Sequence, residues 1–305
     1  MTRKNDLRSA LDTGEQLASE ILKRRKPATA RRKAAIKSAD VSAYAKEASA
    51  SIRSGISIGT LIAEGDSWFD YPFNDILKGL EDDFGYDVES VAKAGDRVED
   101  MAYSGSQLND LVRRIEKVIR RGDTPKAILL SGGGNDIAGE IELGMLLNHA
   151  NSNIAGLNNK VIDGVINERL HYAYVSILSA ITKVCTDMLG SPVPIVLHGY
   201  DYPVPDGRGF AGGFWFLPGP WLEPGFRLKG YMAMPQRLTL MQEIIDRFNA
   251  MLQSVAKSRE FPHVHYLNLR TTLQPNEKWW ANELHPTKKG FAAVTALFAA
   301  KIAPL

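Results

Sequence analysis

Four short blocks carry the residue types that acyl transfer needs. "GDSWFD" places Ser67 four residues after the apolar run Leu61, Ile62, Ala63; "AKAGDRV" holds Gly95, "GGGND" holds Asn135 and "NELHPT" holds His285. Attack on a carbonyl requires a nucleophile, a base to take its proton and donors for the oxyanion. A serine, a histidine, a backbone-exposing glycine and a carboxamide are those parts. Each block has a plain structural alternative: Ser67 as a helix N-cap, His285-Pro286 as a helix entry. The four together outweigh those alternatives, provided the fold gathers them at one place.

The elements between the blocks say where that place is. From about residue 56, short apolar runs alternate with longer stretches of helical periodicity. Strands are expected at "GTLIAEG" (59–65), "YDVESVA" (86–92), "KAILLSG" (126–132), "VPIVLHG" (193–199) and "HVHYLNL" (263–269). Helices are expected near 73–84, 105–121, 163–189, 233–258 and 287–302; in 105–121, Leu108, Leu111, Ile115 and Ile119 recur at spacings of three and four. Strands separated by helices imply an α/β fold, a five-stranded parallel sheet in a three-layer α/β/α arrangement. Such sheets bind ligands beyond the carboxyl ends of their strands, where Ser67, Gly95 and Asn135 fall. Two connections exceed simple turns, 139–160 and 201–230. The second is rich in Gly, Pro and aromatic residues, among them Phe214, Trp215 and Trp221, and long ordered loops at that edge are usually functional.

In order and position, the blocks resemble those of the SGNH (GDSL-type) serine hydrolase superfamily, over roughly residues 58–302. The resemblance implies a flavodoxin-like sheet order and ester hydrolysis without metal or organic cofactor. It implies that Ser67 attacks the carbonyl, that His285 takes and returns the proton, and that Ser67 N–H, Gly95 N–H and the Asn135 amide surround the oxyanion. The family usually has an aspartate three residues before the histidine; here that position is Asn282, followed by Glu283. Orientation of His285 by Asn282, by a backbone carbonyl or by Glu283 all remain open, with Glu283 the least favoured. Without a carboxylate to stabilise imidazolium, turnover is expected to be slow. Phe214, Trp215 and Trp221 are candidates for substrate binding, either lining an acyl pocket or stacking on a sugar.

The bulk properties bound the rest. Of 305 residues, 44% are hydrophobic and 24% charged, ordinary for a globular chain. No apolar run suggests a transmembrane segment, and no signal peptide is visible, so a cytoplasmic location is expected. The lone Cys185 reads as a buried thiol. Residues 1–55 hold 13 Lys/Arg against 6 Asp/Glu, and the remainder 24 against 29. These first 55 residues read as a basic, helical or partly mobile extension to a hydrolase domain at 56–305. Its peak, "KRRKPATARRK" (23–33), could touch an anionic surface; it has no interleaved aromatics and no specific nucleic-acid motif. His149, His171 and His198 read as packing or hydrogen-bonding residues, and His263 with His265 lacks the partners of a metal site. Neither a Gly-x-Ser-x-Gly elbow nor a P-loop is present. Three functions follow: hydrolysis of short-chain or lipid esters, hydrolysis of carbohydrate acetyl esters, and a weakly active binding module held by the basic arm.

Overall fold

The computed structural model describes residues 2–38, 57–212 and 218–305. Five short strands form one parallel sheet: β1 Thr60–Glu64, β2 Asp87–Ser90, β3 Ala127–Leu130, β4 Ile195–His198 and β5 Val264–Leu267, in the order β2-β1-β3-β4-β5. β1, β3 and β4 are buried along their whole length, and so can be apolar on both faces. The edge strands β2 and β5 are partly exposed and carry charged or polar residues.

Helices cover both faces. Ile76–Asp82 and Lys288–Ile302 pack together on one. Gly105–Arg120, His171–Leu189 and Met234–Ala256 form the opposite layer. The helix starts follow the local chemistry. Ser104 Oγ accepts from Gln107 N at 3.4 Å and Thr287 Oγ1 from Gly290 N at 3.2 Å, each satisfying an orphan donor of the first turn. Helix His171–Leu189 is preceded by a π-helical stretch, Asp163–Leu170. Strand order reverses between β1 and β3, with β2 on one side and β4 on the other, which opens a crevice at their carboxyl ends. Among the described residues no helix is long and apolar enough to cross a membrane.

The N-terminal segment is a helix, Thr2–Ser38, and its first half lies against the sheet-covering layer. Ala10, Gly14, Ala18 and Ile21 form its buried seam, facing helix His171–Leu189. Ser176 Oγ donates to Ala10 O (3.0 Å) and Ser179 Oγ to Leu11 O (2.8 Å). Farther along, Arg25 pairs with buried Glu116, which also accepts from Thr29 Oγ1 at 2.8 Å. Most of the expected basic arm up to Arg31 thus has a packed side as well as a solvated one, whereas 39–56 lie outside the described residues.

Small residues permit this close crossing: a Cβ on Gly14 would stand 2.1 Å from Ser176 O. Gly14→Ala is therefore expected to lower the melting temperature, although the same exchange in an exposed helix stabilises by about 1 kcal/mol. Thermal unfolding of the variant reads the sign directly.

Candidate active site

Ser67 stands three residues past the end of β1, in a turn built by its neighbour. Asp66 is buried, and its carbonyl accepts from Phe69 N (3.0 Å) and Asp70 N (3.1 Å). Its carboxylate accepts from Trp68 N (3.0 Å), from Ser131 Oγ (2.8 Å) just after β3, and from the Tyr200 hydroxyl after β4. The turn that presents Ser67 is thereby tied to the two strands on one side of it. On the other side, Asp70 accepts from Ala94 N at 3.0 Å, which ties the Ser67 block to the Gly95 block.

Gly95 has φ +92°, a left-handed conformation that a side chain would strain. Its N–H and that of Ser67 have no hydrogen-bond acceptor among the described residues. The Asn135 amide donates one hydrogen to Asp96 O at 2.9 Å, which fixes its plane and leaves the second hydrogen available. Asp136 Oδ2 in turn accepts from Val98 N at 2.9 Å, locking the block after β3 to the block after β2.

His285 sits in a tight excursion before the last helix, closed by the bridge between Trp280 and Pro286 and by Ala281 N to His285 O at 2.9 Å. Its Nε2 is 2.7 Å from Ser67 Oγ, and its Nδ1 is 3.0 Å from Asn282 Oδ1. That oxygen also accepts from Leu284 N (3.0 Å) and His285 N (2.9 Å), while Asn282 Nδ2 donates to the Tyr71 hydroxyl at 3.1 Å. The two backbone donors fix which end of the amide faces the ring. Nδ1 must then carry the proton, and the Nε2 lone pair faces the serine. Tyr71 stacks on the imidazole at 4.3 Å between centroids, and Trp221 meets it edge-on at 5.6 Å. So enclosed, and with no carboxylate at Nδ1, the ring is pushed by desolvation down to about 3, well below the ordinary histidine value. Such a ring is neutral across the physiological range and can accept a proton from the serine.

The expected residues fall into three groups. Ser67, Gly95, Asn135, Asn282 and His285 converge on one spot at the carboxyl edge of the sheet. Glu283 does not reach the imidazole: one carboxylate oxygen accepts from Gly207 N and Glu223 N (2.9 Å each), the other from Trp221 N (2.6 Å) and Leu222 N (2.7 Å). Its side chain staples connection 201–230 to the histidine segment, and burial lifts its carboxyl above the usual range even though all four N–H groups pull it down. Of the aromatic candidates, Trp221 lies beside His285, whereas Phe214 and Trp215 lie outside the described residues. Asp66, Tyr71 and Tyr200 were not singled out as site residues from the sequence, since nothing in their spacing separates them from core residues. Elsewhere, His198 packs on Trp68 with Nδ1 at 3.1 Å from Gly199 O, and His263 Nε2 meets Thr182 Oγ1 at 2.9 Å. Among the described residues no group of three or more His, Cys, Asp or Glu could hold a metal ion.

Residues 62–293 match the sequence model of the GDSL-like Lipase/Acylhydrolase family. The chain belongs to this family. It is a carboxylic ester hydrolase of the SGNH/GDSL type, as the four blocks suggested. Solved structures resemble it at low identity. An acetylxylan esterase from Geobacillus stearothermophilus is 14% identical, with 81% of this chain and 94% of that chain covered, at a TM-score of 0.39. A putative SGNH hydrolase from Slackia heliotrinireducens is 11% identical, with 79% and 97% covered, at 0.45. No curated protein sequence matches the chain significantly.

The Glu283 staple makes a distinct prediction. Glu283→Ala leaves four backbone donors without their acceptor, each lost bond to a buried group costing about 1–3 kcal/mol before relaxation. A marked drop in melting temperature is expected, with Glu283→Gln intermediate. An unchanged melting curve for Glu283→Ala would rule the staple out.

Proposed function

We propose that the chain hydrolyses carboxylic esters through an acyl-enzyme on Ser67. The observation that supports this best is the single line of contacts from Ser67 Oγ to His285 Nε2 and from His285 Nδ1 to Asn282 Oδ1. Ser67 Oγ attacks the ester carbonyl carbon as its proton passes to His285 Nε2. The carbonyl oxygen takes up the negative charge, facing the N–H groups of Ser67 and Gly95 and the free Asn135 hydrogen. Collapse of the intermediate breaks the bond to the alcohol, which leaves with the proton from His285. Water then attacks the acyl-enzyme with His285 again as base, and the carboxylic acid departs.

In this mechanism Asn282 is the orienting residue. Its amide oxygen sets the tautomer as a carboxylate would, but offers a dipole rather than a full charge to the imidazolium that forms. Slow turnover follows. A carbohydrate acetyl ester is a second substrate reading, supported by the half-buried Trp221 beside the base that protonates the leaving alcohol. As for a partner, Lys23, Arg24, Lys26 and Arg31 of the basic segment 23–33 are exposed, and an anionic surface is what they would fit.

Hydrolysis of p-nitrophenyl acetate tests the core of the proposal. Ser67→Ala is expected to lower kcat by at least about 10³-fold and to abolish labelling by a serine-reactive phosphonate. Equal activity in wild type and Ser67→Ala would overturn the mechanism, and no activity in folded wild type would favour the binding-module reading.

The pH profile tests Asn282. The base must be neutral, so kcat/KM falls only as pH drops through the pKa of the folded protein, which burial holds near 3. Activity should stay level from pH 8 to about 5, where a histidine of ordinary pKa would retain only about 3% of its base form. Asn282→Asp places a carboxylate at Nδ1 and is expected to move the acid limb upward by about one pH unit or more. A wild-type limb near pH 6.5 that does not move in Asn282→Asp would contradict this assignment.

A further inference from the structure

A small pocket opens behind Ser67, about 50 Å³ in volume. Ser67 and Asn135 stand on its wall, and its apolar lining comes from Ile137, Ala138, Leu222, Met241, Ile245 and Phe248. The polar residues that border it are already engaged. Asp66 holds Trp68, Ser131 and Tyr200, and Asp201 accepts from the N–H groups of Tyr202, Thr271 and Leu273. What remains to meet a ligand is largely hydrocarbon.

We propose that this pocket is the acyl site and that it limits the acyl group to about two or three carbons, acetyl or propionyl, with Met241 and Ile245 setting the limit. The inference rests on the reading of Ser67 as nucleophile. Once Ser67 Oγ is bonded to the carbonyl carbon, three substituents need places. The oxyanion faces Gly95 and Asn135, and the alcohol must lie where His285 can protonate it. The remaining direction, past Ser67 and Asn135, is the pocket, and the acyl carbons enter it. An apolar cavity of about 150 Å³ accommodates benzene, so a third of that volume holds roughly two carbons. The walls do not yield readily, because Met241, Ile245 and Phe248 are buried in the layer packed on the sheet, and close-packed interiors resist expansion. Met241 is the most adaptable of the three and Ala138 the smallest. Those two positions are where the volume can be changed in opposite directions.

The test is a series of p-nitrophenyl acetate, propionate, butyrate and octanoate on wild type, Met241→Ala, Ala138→Leu and Ser67→Ala. Wild type is expected to prefer acetate or propionate, with kcat/KM for octanoate lower by about tenfold or more. Met241→Ala should raise the octanoate-to-acetate ratio by about tenfold, and Ala138→Leu should lower the butyrate-to-acetate ratio. A ratio separates the pocket from folding, since a partly unfolded variant loses all substrates alike. Octanoate preferred by wild type, or ratios unchanged in both variants, would overturn the acyl-site assignment while leaving the Ser67 mechanism standing. Ester hydrolysis that survives Ser67→Ala, or none at all in folded wild type, would overturn both.

Discussion

An imidazole can take a proton from serine only if its near nitrogen is bare, and in this chain that condition rests on one amide oxygen. Asn282 Oδ1 gathers the N–H groups of Leu284 and His285 together with the ring Nδ1. The amide cannot turn round without leaving those backbone donors unpaired and placing its NH₂ against the ring. An uncharged side chain thus achieves orientation through the backbone geometry of a four-residue excursion. What it does not supply is charge, and the imidazole, buried between Tyr71 and Trp221, has no anionic neighbour among the described residues to favour its protonated form.

The remaining architecture serves to bring that histidine to the serine. Ser67 is set by Asp66, which reaches to the ends of β3 and β4; Gly95 is joined to the serine turn by Asp70 and to the Asn135 block through Asp136 and Val98. Each cross-link is a carboxylate, buried at Asp66 and Asp136 and exposed at Asp70, accepting from groups on a different strand end. The carboxyl edge of a parallel sheet is a set of separate loops, and here acidic side chains splice them into one surface. Binding that edge together leaves the geometry of the proposed site dependent on side chains that take no part in the proposed mechanism.

How much of this was legible in the sequence depended on distance along the chain. β1, β3 and β4 were readable as short apolar runs between polar turns and the edge strands β2 and β5 as alternating apolar and polar residues, and strand-end position then singled out Ser67, Gly95 and Asn135. The roles of Asn282 and Glu283 were not readable, because adjacent residues in a turn point in different directions and only the fold says which. Glu283 finds its donors at Gly207 and Trp221 to Glu223, far upstream. Met241, Ile245 and Phe248 recur at helical spacing and read as ordinary core; part of that stripe faces a cavity instead of a neighbour. The N-terminal seam was hidden for a different reason: Ala10, Gly14 and Ala18 bury little area each, so the charges around them dominated the pattern.

The staple at Glu283 links two parts of the chain that are far apart in sequence. The residue sits two positions before His285, and its carboxylate finds its four donors on the long connection that covers it. Without the seated connection that carboxylate lacks its four backbone donors, and the histidine segment lacks its tether to 201–230. Placement of His285 and seating of the connection are therefore coupled through one side chain. Displacing connection 201–230 therefore disturbs the segment that carries His285, although that connection lies far from it in the sequence.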